Sequence, residues 1–223
     1  MKKTVYLYDF DNTVVDCESI VELWKYAYIK RKPIKRLTLS LFIAFFRSNI
    51  KKDFKIVKNA MVSILKYFTD NEMREFMVDY ILPKYVFKEF EDTFNSHEED
   101  SIKILCSASA TNYLKYVKEV YDFDYIIGTD LDLNYKLLFE NNKREVKVNN
   151  INNLLKREGI EIDFEKSKGY SDSYKDDRFM LDMVMMKYLI NSKVVEDGFV
   201  NLFWHRKSKW VGVNFKIIFN YID

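Results

Sequence analysis

Residues Thr4-Val5-Tyr6-Leu7-Tyr8-Asp9-Phe10-Asp11-Asn12-Thr13 carry the strongest structural signal in the chain. The first five are β-branched, aromatic or aliphatic, and an apolar run this short suits a buried strand better than a helix. The polar residues from Asp9 to Thr13 end that strand in a loop. Similar runs recur at 102–106, 125–128, 168–171 and 188–190, and helical patterns lie between them at 110–121, 148–158 and 176–187. Strands alternating with helices predict an α/β fold, a parallel sheet with helices on both faces. Such sheets hold their ligands at the carboxyl ends of the strands.

Between the first two strands the pattern changes. Val21, Leu23, Trp24 and Tyr28, the apolar run 37–46, then Ile56, Val57, Met61, Ile64, Leu65 and Phe68 recur at helical spacing, with no strand signal among them. This predicts an all-helical cap at 17–90, inserted into a core of 1–16 and 91–223. Glu98-Glu99-Asp100 marks the return to that core. A chain of 223 residues, 48% of them hydrophobic, can bury one substantial core with such an insertion. The two cysteines, Cys17 and Cys106, form no CxxC pair, and His97 and His205 are the only histidines. Structural zinc and a disulfide framework are therefore excluded as expectations. Met1-Lys2-Lys3 runs straight into the first strand without a secretory h-region, so a cytoplasmic protein is expected.

Asp9-x-Asp11 alone is weak evidence, because Asp122-x-Asp124 and Asp130-x-Asp132 share its spacing. Only the first copy has Thr two residues after its second Asp. It also has company in order: Ser107 after the 102–106 run, Lys147 opening a helix, and Asp172 and Asp176 after the 168–171 run. Acidic groups with a lysine at successive strand ends suit phosphoryl transfer. Phosphate monoesters need accelerations of up to about 10²¹-fold. A carboxylate attacking a phosphate dianion meets repulsion of about 4 kcal/mol per charge pair at 4 Å, for an effective dielectric near 20. Cations must offset it: Mg²⁺ on Asp9, Asp172 and the Asp11 carbonyl, for which manganese could substitute, and the Lys147 ammonium. Ser107, with backbone amides at the following helix start, would hold a phosphoryl oxygen.

This ordered set resembles the four motifs of the haloacid dehalogenase superfamily, subfamily IB, along nearly the whole chain. The resemblance implies a Rossmann-like core, Asp9 as the nucleophile of an aspartyl-phosphate intermediate, and Asp11 as acid and then base. It further implies that Asp176 orients Lys147 or a metal-bound water, and that Thr13, Ala108, Ser109 and Lys175 line the phosphate site. Lys175 and Asp177 depart from the fourth motif of many relatives. No GxGxxG, Walker-type, GxSxG or HExxH motif competes, and Ser107 has no evident His partner.

The substrate is less legible. The opening motif followed by Glu18 resembles phosphoserine phosphatases, whose Glu at this distance meets the substrate amine; Glu18 is equally suited to favouring a helix start. The insertion is also similar to the phosphatidylglycerophosphate phosphatase branch. From Lys25 to Lys58 eleven Lys/Arg meet one acid, Asp53, a local charge of +10 that leaves −8 for the rest of the net +2. The run 37–46 is too short to span a bilayer. Its basic flanks suit either a helix packed in the cap or one lying on an anionic membrane through 30–55. The expectations are therefore a phosphatase of a small metabolite such as phosphoserine, with a peripheral phosphatase of a phospholipid head group and a catalytically weak phospho-ligand binding protein as alternatives. Nucleic acid is not expected as a partner, the oligomeric state is open, and 204–210 reads as a basic aromatic hairpin turn with strands either side.

Overall fold

The structure, a computed structural model, describes residues 2–206. Its strands are β1 (Lys2–Lys3), β2 (Val5–Tyr8), β3 (Ile102–Ala110), β4 (Tyr125–Thr129), β5 (Glu161–Ile162), β6 (Lys168–Ser171), β7 (Met186–Ile190) and β8 (Phe199–Leu202). Six form one parallel sheet in the order β4-β3-β2-β6-β7-β8, and β1 pairs with β5 beside it. The chain leaves β2 toward β3 on one side and reaches β6 on the other, so β2 lies at the point where the strand order reverses. That is where parallel sheets open a crevice.

The helices are α1 (Ser19–Ile29), α2 (Lys35–Lys51), α3 (Phe54–Val62), α4 (Asp70–Glu75), α5 (Leu82–Tyr85), α6 (Lys88–Asn95), α7 (Thr111–Leu114), α8 (Glu145–Glu158) and α9 (Tyr174–Leu181). Both faces of the sheet are covered, as its alternation requires. Val5 and Leu7 of β2 join Ile104, Cys106, Ile151, Leu155, Met180 and Leu181 under α8 and α9. Tyr6 and Tyr8 point the other way. Tyr8 stacks on Tyr170 with centroids 4.4 Å apart, and its hydroxyl lies 2.6 Å from His97 Nε2. Burial pushes the His97 pKa down to about 3, which leaves the imidazole neutral.

Everything described between β2 and β3 that is regular is helical, apart from isolated bridges. A capping box at Thr69 and Glu72 starts α4, and the Asp53 carboxylate accepts the Lys55 N–H to start α3. Leu23, Val57, Ile64 and Phe76 from this helical segment belong to the same continuous apolar cluster as Tyr8, Leu105 and Phe123 of the sheet layer. The cap–core boundary expected at 90/91 falls inside α6, whose Phe90 and Phe94 pack on Phe123.

Several expected boundaries differ. β3 runs four residues beyond 106, through a register shift against β4 between Cys106 and Ala110, so Ser107 lies within a strand. The expected helix 110–121 is a short α7 followed by a 3-10 turn at Lys115–Glu119. The expected helix 176–187 ends at Leu181, and β7 has begun by Met186. Strand β8 lies where the turn expected at 204–210 calls for a strand before it. Of 204–210, Trp204 is buried against Phe87, while 207–210 lie outside the described residues.

Gly128 near the end of β4 leaves no room for a side chain. A Cβ there would sit 2.7 Å from Thr111 Oγ1, 2.8 Å from Thr111 N and 2.9 Å from the Ser109 carbonyl oxygen. Gly128→Ala is predicted to destabilise the fold by about 1–3 kcal/mol. A lower urea midpoint at unchanged m-value is the expected reading; an unchanged midpoint would contradict this close approach.

Candidate active site

Asp9 follows β2 directly, and its N–H donates to the Tyr170 carbonyl of β6 at 3.0 Å. Lys147, in the first turn of α8, reaches it from behind. Its Nζ is 2.7 Å from Asp9 Oδ1 and 2.7 Å from Asp177 Oδ1, with the lysine side chain 2% exposed. The second Asp177 oxygen accepts the Ser171 hydroxyl at 2.6 Å. Burial by itself would lower the Lys147 pKa, but the Asp177 and Asp9 carboxylates outweigh it and keep the ammonium charged. Burial pushes the Asp9 carboxyl well up; Lys147 opposes this, while Asp177 and Asp172 add to it. Negative charge around Asp9 is therefore only partly compensated.

This corrects one expectation. Asp177, not Asp176, engages Lys147. Asp176 instead accepts from Arg144 Nε at 2.9 Å, with Lys143 at 3.7 Å, at the more open side of the loop. Adjacent residues on a helix point about 100° apart, so only one of the pair can reach the buried ammonium. The position noted in sequence as a departure is thus the one that partners the lysine. Lys175 is exposed on the first turn of α9.

The Asp11 carboxylate is held between elements. Its Oδ1 accepts the Ser19 N–H at 2.8 Å and its Oδ2 accepts the Ser109 hydroxyl at 2.6 Å. Burial raises its pKa against these two hydrogen bonds. Asn12 adopts φ 56°, and its side chain donates to Glu18 Oε1 at 2.6 Å. Glu18 stands at the N-cap of α1 but makes no side-chain cap bond. Thr13 is fully buried and its hydroxyl accepts the Asp172 N–H at 2.9 Å, tying the first loop to the fourth. Ser107 Oγ accepts the Ser109 N–H at 3.1 Å and keeps its own hydrogen to donate. It does not cap α7, which starts at Thr111 with Ala110 as its N-cap.

Three contributors were not anticipated. Lys58 of α3 donates to the Ala108 carbonyl at 3.0 Å; burial lowers its pKa, and the nearby Asp11 and Glu18 carboxylates work against that. Asn142 donates to the Ser107 carbonyl at 2.9 Å, and Thr129 Oγ1 accepts the Asn142 N–H at 3.1 Å. Both steady the irregular end of β3. The other two Asp-x-Asp copies serve structure: Asp124 accepts the Lys103 N–H and so ties the segment before β4 to β3, and Asp132 accepts from the backbone of Asn134 and Lys136 in a turn.

Among the described residues no three His, Cys, Asp or Glu side chains form a ready-made metal cage. A hard cation that keeps several waters asks for only one or two carboxylates. Asp9 and Asp172, with the Asp11 carbonyl, supply that chemistry, and the Asp9, Asp172 and Asp177 carboxylates outnumber the one Lys147 ammonium among them, which favours a cation.

A family model described as haloacid dehalogenase-like hydrolase matches residues 6–181. The chain belongs to the haloacid dehalogenase-like hydrolases. No curated protein matches the sequence significantly. Among solved structures, a protein of unknown function from Bordetella pertussis Tohama I superposes with TM-score 0.70 at 18% identity, covering 86% of this chain and 92% of that one. A phosphoserine phosphatase with a phospho-aspartyl intermediate analogue gives TM-score 0.56 at 21% identity, covering 86% and 88%. A hydrolase of the same family from Salmonella enterica serovar Typhi gives 0.60 at 12%, covering 85% of this haloacid dehalogenase-like chain and 63% of its own. At these identities the likeness shows the fold.

Lys147→Met would leave Asp9 and Asp177 buried and unpaired, a loss of about 3–5 kcal/mol near neutrality. Without the ammonium, which opposes the upward push of burial, the Asp9 carboxyl would titrate further above its ordinary value. The deficit is then smallest near pH 4, where protonation neutralises Asp9, and grows as pH rises. Denaturant titrations of both proteins across that range check the sign.

Proposed function

We propose that this hydrolase is a magnesium-dependent phosphomonoesterase acting through an aspartyl-phosphate on Asp9. The observation that carries the proposal is the buried Lys147 ammonium shared by Asp9 and Asp177 at the carboxyl ends of adjacent parallel strands. Asp9 would attack phosphorus in line as the ester oxygen leaves, with Asp11 giving that oxygen its proton. The same Asp11 carboxylate would then take a proton from the water that hydrolyses the acyl phosphate, acid and base in turn. Its raised pKa suits the first task. Lys147 offsets charge on the nucleophile, and Ser107 donates to a phosphoryl oxygen. Asp9, Asp172 and the Asp11 carbonyl would hold Mg²⁺, which when bound supplies the positive charge that lets two anions approach.

For the substrate we favour a small phosphorylated amino acid of the phosphoserine type. Glu18 and Lys58 offer one carboxylate and one ammonium near Asp11, the complement of a zwitterion. Each charge-assisted contact is worth about 1.5–3 kcal/mol. Glu18→Gln and Lys58→Met should therefore each lower kcat/KM for phosphoserine by about tenfold or more beyond any loss on an aryl phosphate. Equal losses on both substrates would remove the amino-acid reading and leave the phosphatase one.

Phosphate release from a generic aryl phosphate, abolished by a chelator and by Asp9→Asn, is the primary test. A silent panel of phosphoserine, sugar phosphates and a phospholipid head-group ester would instead favour a binding protein. Asp177→Asn is expected to lower kcat by about 10²-fold through misplacement of Lys147. Asp176→Asn should cost less than about tenfold, and the reverse ranking would return the role to Asp176.

A further inference from the structure

Helix α2 has two apolar faces. Leu37, Ala44 and Ser48 are buried, with α3 as the main neighbour. At about 100° per residue, Leu39, Phe42, Ile43, Phe46 and Ile50 fall on the opposite side, in a stripe about 100° wide. All five are exposed, from 46% at Ile43 to 82% at Ile50. One exposed apolar side chain is ordinary, but five in register on one helix form a patch.

The charge around the patch narrows what can cover it. Lys35 and Arg36 open α2, Arg47 and Lys51 lie in its last turns, Lys52 and Lys55 follow, and α2 contains no acid. Among the described residues none of these six takes part in an ion pair, whereas Lys30 and Lys32 nearby are paired with Glu75 and Glu72. A second copy would bring two such basic rims together and repel. No helix of the described chain is long and apolar enough to cross a membrane. An apolar stripe with cationic flanks fits a surface that is apolar inside and anionic outside.

We propose that the outer face of α2 docks on an anionic phospholipid bilayer. Phe42, Phe46 and Ile50 enter the acyl boundary, and Lys35, Arg36, Arg47 and Lys51 meet head-group phosphates. The helix lies in the interfacial plane, and α3, packed on its inner side, carries Lys58 to the Ala108 carbonyl. The surface rests on exposure and charge alone, whichever phosphomonoester the site hydrolyses.

The test is co-sedimentation of the full chain with vesicles of mixed phosphatidylglycerol and phosphatidylcholine, against phosphatidylcholine alone. Binding is expected on the mixed vesicles at low salt and should fall at high salt. Phe42→Ser with Phe46→Ser, or Lys35→Glu with Arg47→Glu, should weaken it by about tenfold or more, with far-UV circular dichroism reporting that each variant folds. As a second reading, Phe46→Cys takes a polarity-sensitive dye, since Cys17 and Cys106 are buried; its emission should shift to the blue on mixed vesicles only. Absence of binding at low salt, equal binding to neutral vesicles, or an unmoved dye on bound protein would overturn the proposal. A dimer in sedimentation velocity that the Phe42→Ser, Phe46→Ser pair dissociates would assign the face to a second copy instead.

Discussion

One ammonium group in almost no water, Lys147 Nζ between Asp9 and Asp177, constrains the rest of the site. Buried charge persists only where its partners are held in place, so each neighbouring element answers to that group. The strand β2 must end at Asp9, the first turn of α8 must present Lys147 inward, and the turn from β6 into α9 must bring Asp177 across. Ser171 holds the far oxygen of Asp177, and Thr13 ties the first loop to Asp172. Asp9 and Lys147, 138 residues apart in the chain, meet because the parallel sheet stacks strand ends side by side. Chemistry and topology are thus fixed by the same contacts.

That dependence explains which parts of the site can be read from sequence. Asp9, Asp11 and Asp172 lie just beyond strand-like runs, and a run followed by a polar residue marks a strand end; Ser107 is found by the same signal although β3 continues past it, and Lys147 by the helical pattern that it opens. Asp176 and Asp177 are chemically identical neighbours in the first turn of a helix, and only the direction of that helix decides between them. Lys58 and Asn142 belong to no run at all. One comes from the helical segment and the other from a loop, and a chain rich in lysine and asparagine gives neither any prominence.

The fold shows the same division. The four-residue strand β6 coincides with the expected run because its flanks are polar. Helix α9 was expected to continue past Leu181 because Met183, Val184, Met185 and Met186 satisfy either period and no Gly or Pro interrupts them. The end of β3 was hidden by its composition, since Ser107-Ala108-Ser109-Ala110 has little strand propensity. Hydrogen bonds from Asn142 and Thr129 supply what propensity does not.

The apolar cluster that runs unbroken from Leu23 and Phe76 to Tyr8 and Phe123 has a thermodynamic consequence. The helical segment shares its core with one face of the sheet, the other face packing under α8 and α9, so the segment cannot melt without unpacking the sheet face that it covers. Access to the site then cannot come from swinging the whole helical segment away. It falls to the periphery, where α3 meets the sheet layer through the Lys58 hydrogen bond to Ala108, the Asn59 side chain accepting the Leu137 N–H at 2.8 Å, and Lys143 over the Phe54 ring. These few polar and aromatic ties can break and re-form at a cost well below that of global unfolding. The molecule can therefore admit and release small molecules while its core stays shut.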